Sequence, residues 1–163
     1  MRRTLAVCAA VALSSAAYAA SEKVGAENRD YRTLTEISSQ VPGEQNYKID
    51  QLTNSFRIQN ASDPAFNGFA TEVVQREVRG NTVTFKVWGM TQSANSNDQW
   101  YWRVPNATGQ LNGQIFTISN GHVDFDGGTG KFQNLKGGAQ FNCEFGPGKK
   151  NGCDWQGQVE NVQ

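Results

Sequence analysis

Three side chains that could do chemistry stand at alternate positions: His122, Asp124 and Asp126. Imidazole and carboxylate suit a divalent metal or an acid–base pair. On a strand, alternate positions share a face, but residues i to i+4 spread over roughly 13 Å. One ion could not collect all three without a bend. The reading adopted is a solvated outer face opposite Val123 and Phe125. Asp124-x-Asp126-Gly127 lacks the remaining ligands of a calcium loop. The chain has one histidine, and no serine sits in a glycine-flanked elbow, so no nucleophile triad can be drawn. Gly127-Gly128-Thr129-Gly130-Lys131 lacks the spacing and the following helix of a phosphate cradle. No catalytic residue, metal site or cofactor is therefore assigned.

The aromatic residues offer more. Trp88, Trp100, Tyr101, Trp102 and Trp155 are many large rings for a short chain. Such walls suit an apolar or sugar-like ligand, with an indole N–H to orient it. Trp100, Trp102 and Trp155 are the candidate ligand-binding residues. The competing role for the same rings is to fill the core. Trp88 has parity opposite to Val83, Phe85 and Val87, which places it outside or at a rim.

The elements that must position these rings read as strands. Phe56 and Ile58 alternate with Arg57 and Gln59. Residues 69–78 follow as a strand of mixed polarity, closed by Gly80-Asn81. Val83, Phe85 and Val87 share a face across 82–91, and Trp100, Trp102 and Val104 share one across 99–104. Residues 113–119 are another strand, with Asn120-Gly121 as a turn into His122. Segments 139–145 and 153–160 alternate again. About eight short strands with mostly short loops predict an all-β fold, a small antiparallel barrel or a sandwich.

The last two segments fix a register. Placing Cys143 opposite Cys153 sets Phe141 against Trp155 and Ala139 against Gly157. Aromatic then meets aromatic and small meets small on the apolar face, so a Cys143–Cys153 disulfide agrees with the hydrophobic pattern. Just before them, GGTGKFQNLKGGAQF (127–141) resembles the glycine-rich stretch of allene oxide cyclase-like and dirigent-like β-barrels. It also resembles that of small exported bacterial proteins of the same type. The likeness covers about fifteen residues. It implies a closed or nearly closed antiparallel barrel of about eight strands. It carries over no catalytic residue, because none of either family aligns with this chain.

The N-terminus resembles a secretory signal: Arg2-Arg3, an apolar run from Leu5 to Leu13 too short to span a bilayer, and Ala17-Tyr18-Ala19. Cleavage after Ala19 removes Cys8 and leaves the two cysteines that an oxidising compartment would pair. The domains expected are a signal peptide (1–19), a polar arm or short helix (20–54) and the barrel (55–163). The helix alternative rests on Tyr31, Leu34, Ile37 and Val41, with Pro42-Gly43 to end it. Fifteen basic and fifteen acidic residues, with no basic cluster, argue against nucleic acid as a partner. No later segment is apolar enough for membrane insertion.

The function expected is that of a secreted or periplasmic, non-enzymatic barrel. It would bind a small apolar or sugar-like ligand, or a surface partner, through aromatic residues. One alternative is an isomerase or cyclase acting on an apolar substrate inside the barrel. Another is a structural module pairing through a strand edge if the barrel stays open. A polar group deep in an open apolar cavity would favour the enzyme, and a filled barrel the interaction module.

Overall fold

The computed structural model describes residues 21–160. Eight antiparallel strands close into a barrel in simple sequence order: β1 (Glu22–Gln40), β2 (Tyr47–Gln59), β3 (Gly68–Arg79), β4 (Thr82–Ser93), β5 (Gln99–Asn112), β6 (Ile115–Gly128), β7 (Lys136–Phe145) and β8 (Gly152–Glu160). Up-and-down connection is what short turns between consecutive strands permit, and closure leaves each inner face to bury its apolar parity. Ala70 and Val74 on β3, Val83, Phe85 and Val87 on β4, and Trp100, Trp102 and Val104 on β5 all point inward. Trp88 points outward and is 50 % exposed, as its parity requires. The signal-peptide reading falls on residues 1–19, outside the described residues.

The β7–β8 hairpin has the register derived from the cysteines. Cys143 lies opposite Cys153, Phe141 opposite Trp155 and Ala139 opposite Gly157. The two sulfurs are bonded at 2.01 Å.

Residues 20–54 are corrected. From Glu22 onward they form neither an arm nor a helix. They supply all of β1 and the first half of β2, so the barrel begins at Glu22 and not at residue 55. The pattern misled because β1 is irregular. Its register against β2 shifts twice, between Arg29 and Arg32 and between Thr33 and Thr35, and Asp30 has φ 59°. Each shift changes the phase of the side-chain alternation, so no period of two survives along the strand. Leu34 and Ile37, which suggested a helical stripe, are 57 % and 68 % exposed. Pro42-Gly43 lies in the turn between β1 and β2.

Asn120-Gly121 also departs from the expected turn. It is no turn: 115–128 is one strand, with a register shift between Ile118 and Gly121 and Asn120 at φ 57°. Asparagine tolerates that left-handed conformation better than most residues, so the same residue suits a turn or a bulge. The expected count of eight strands thus holds with one strand added at the start and two merged into β6.

One end of the barrel is closed. A 3-10 turn at Pro64–Phe66 starts where the Asp63 carboxylate accepts a hydrogen bond from the Ala65 N–H at 2.9 Å. It places Phe66 over the lumen. A second 3-10 turn, Gly130–Phe132, brings Phe132 and then Leu135 beside it. All three side chains are fully buried. Phe66 meets Trp100 and Phe132 with ring centroids 5.3 Å apart in each case, and Trp155 at 6.4 Å. The opposite end carries the β1–β2, β3–β4, β5–β6 and β7–β8 connections. The barrel closes where Glu22–Asn28 of β1 pair with β8; from Arg32 onward β1 pairs with β2 alone.

Candidate functional site

The inward parity of the strands does not fill the barrel. A cavity of about 490 Å³ occupies its interior, within the range of small-molecule sites. Trp100, Phe125 and Trp155 form its inner end, above the Phe66 plug. Val78, Val83, Leu111, Phe116 and Phe145 line it toward the other end. Trp100, Trp102 and Trp155 all border this space. Two of the three indoles are tied to the wall: Trp102 Nε1 donates to Thr91 Oγ1 at 3.2 Å, and Trp155 Nε1 to Asn28 Oδ1 at 3.0 Å. Trp100 Nε1 is buried without a partner among the described residues. Trp102 reaches its place because Gly89, opposite it on β4, has no side chain; a Cβ there would fall on the indole ring.

One carboxyl group faces this apolar interior. Glu72 of β3 lies opposite Asn54 of β2 on one side and opposite Gly89 of β4 on the other. It lines the cavity and is only 7 % exposed. Asn54 Nδ2 donates to Glu72 Oε1 at 2.8 Å, the only hydrogen bond to this carboxyl among the described residues. Burial pushes Glu72 up to about 7, with the Asn54 hydrogen bond acting the other way. An aromatic row runs beside it. Tyr31 stacks on Phe56 with centroids 4.4 Å apart, and Phe56 lies 6.0 Å from Trp102. The Tyr31 hydroxyl is raised well above its ordinary value, by burial first and then by the charge of Glu72.

A second polar group stands toward the open end and is internally balanced. Asp50 is buried, yet Arg76 Nε approaches it at 2.6 Å and Lys48 Nζ at 3.2 Å, and the Ser38 hydroxyl donates to it. Burial raises its carboxyl, and the Ser38, Arg76 and Lys48 contacts together outweigh that and leave it below the usual carboxylate range. Arg76 also reaches Glu36 at 3.0 Å.

His122, Asp124 and Asp126 lie on the outer surface, as read from parity. His122 Nε2 is 3.0 Å from Asp124 Oδ1. Arg103 Nε approaches Asp124 at 3.4 Å and Asp126 at 3.2 Å. The two carboxylates are therefore engaged by a guanidinium on the neighbouring strand.

Sequence reasoning found the three tryptophans and missed Glu72 and Asn54. The signal for Glu72 is that it shares parity with Ala70 and Val74. It was hidden because Phe69 and Val73, on the other parity, are exposed apolar residues. With apolar residues on both faces, the strand does not announce which one is inside. Asn54 fell in the segment whose strand was not recognised.

Among the described residues no helix is long and apolar enough to cross a membrane. No family model, curated protein or solved structure matches the chain.

Proposed function

We propose that this protein binds a small, predominantly apolar molecule inside its barrel. The observation that carries the reading is the open, aromatic-lined cavity of about 490 Å³, closed at one end by Phe66, Phe132 and Leu135. A core that served only stability would be filled, because interiors pack to the density of organic crystals. The proposal includes export to the periplasm or the exterior, supported by the N-terminal sequence pattern and by the Cys143–Cys153 pair. It also includes kinship with the exported allene oxide cyclase-like barrels, supported by the 127–141 stretch and the eight-strand closure.

The test begins with protein recovered after export, whose first residue should be at or near Ala20. A mature chain still starting at Met1 would remove the export reading. Tryptophan fluorescence and thermal melts across apolar and sugar-like compounds should then give a spectral shift and a raised Tm for at least one compound. Val104→Trp, which fills the lumen, should abolish both effects while the barrel stays folded by circular dichroism. Unchanged binding by that variant would place the ligand elsewhere.

Glu72 favours a second reading, an isomerase or cyclase acting on the enclosed substrate. A carboxyl that titrates near 7 can both give and take a proton at neutral pH. Turnover of a bound compound by the native protein and its loss in Glu72→Gln separates this reading from simple binding; binding without turnover leaves the carrier.

A further inference from the structure

The lumen holds an imbalance of charge. Lys48 and Arg76 supply two positive groups, and Asp50 and Glu36 answer them. Glu72 is left over, on the same inward face as Arg76 but without a contact to it. Its second carboxyl oxygen has no hydrogen-bond partner among the described residues, and no cation lies within ion-pair distance of it there. A buried carboxylate without a counter-charge is costly, and a cation brought in by a ligand would relieve that cost.

The groups around Glu72 suit such a cation. Gly89 lies directly opposite Glu72, and the indole of Trp102 covers that glycine. Phe56 stands two residues beyond Asn54 on the same face, between Trp102 and Tyr31. A carboxylate beside three aromatic rings is the combination that recognises organic ammonium groups, through charge on one side and ring quadrupoles on the other. The apolar walls beyond take a hydrocarbon body. We infer that the lumen is a site for a hydrophobic monocation, an alkyl or aryl ammonium compound, with its charged nitrogen at Glu72 and its apolar part along the barrel. This inference rests on the lumen-binding reading and narrows it to one ligand class.

The pH dependence follows from which groups titrate. From β1 the lumen receives Tyr31, from β2 Lys48 and from β3 Arg76, with Asp50 and Glu36 paired to Arg76 behind it; β4 and β5 present Val87, Trp102 and Val104, which carry no charge. Asp50 is held ionised by its partners, and burial keeps the Tyr31 phenol neutral. Glu72, pushed up to about 7 by burial, changes charge near neutrality. A ligand that needs its carboxylate sees only the ionised fraction, so affinity should rise about tenfold from pH 6 to pH 8 and then level off.

The experiment compares decyltrimethylammonium, decanol and decanoate by calorimetry at pH 6 and pH 8. The quaternary ammonium keeps its charge throughout, so any pH effect belongs to the protein. At pH 8 the ammonium should bind at least tenfold more tightly than decanol, and decanoate more weakly than either. E72Q should bring the ammonium down to the affinity of the alcohol. The pH profile of the unmodified protein carries the test even if that variant fails to fold. Decanol or decanoate binding as tightly as the ammonium at pH 8 would overturn the ammonium inference and leave lumen binding standing. Ammonium binding indifferent to both pH and E72Q would also overturn it. No binding by any of the three would remove the lumen reading with it.

Discussion

Glu72 titrates near pH 7 in the barrel, against an ordinary value of 4.5 for an exposed glutamate. Below pH 4.5 the group is protonated whether the chain is folded or not, and it costs the fold nothing electrostatically. As pH rises from 4.5 to 7 the unfolded chain gives up this proton first, so stability falls; above 7 the loss is constant. Its size is about 3 kcal/mol by the linkage relation. Glu72→Gln should therefore be more stable than the native protein at pH 8 by up to about that amount, with the difference shrinking by pH 5. Urea unfolding of both proteins at the two pH values reads this directly. Equal differences at both would mean that the carboxyl is not desolvated. Asp50 and Asp154 act with the opposite sign: their lowered values give stability that is lost as pH falls below the usual carboxylate range. The two effects occupy separate pH windows. At this scale the sequence made the indoles legible through size and parity. It concealed Glu72, whose strand is apolar on both faces.

Among the elements, legibility followed regularity. β7 and β8 pair without a shift from Lys136↔Glu160 to Glu144↔Gly152, so parity and two cysteines were enough to set their register. β1 carries two shifts against β2, and β6 one against β7 and one against β5, and a shift of one residue inverts the face of everything beyond it. The hairpin also yields a prediction. The disulfide closes a short loop, with a sequence separation of 10. The double substitution Cys143→Ala and Cys153→Ala should cost about 3 kcal/mol in the chain-entropy picture, and remain folded because Phe141 and Trp155 still meet across the strands. Denaturant unfolding of the double variant checks the first part, and cross-strand nuclear Overhauser contacts the second. A variant as stable as the parent would mean that the bridge contributes nothing beyond the register.

For the whole molecule, the spacing of strand-like segments and turns announced a small barrel or a sandwich, with closure implied by the resemblance at 127–141. It could not announce the lumen, which depends on how many large side chains point inward and on what plugs the ends. Phe66, Phe132 and Leu135 sit in short turns between strands, where no periodicity marks them as core. That plug has a kinetic meaning. A chamber with one blocked end is a cul-de-sac: a second guest cannot push the first out from behind, and the two cannot pass. Replacement must wait for the resident to depart. In a stopped-flow chase, the exchange rate should stay the same however much competitor is added, whereas a barrel open at both ends would let the rate climb with competitor. On the proposed binding reading, a load held this way would survive a crowd of rivals and be surrendered only on the protein's own schedule.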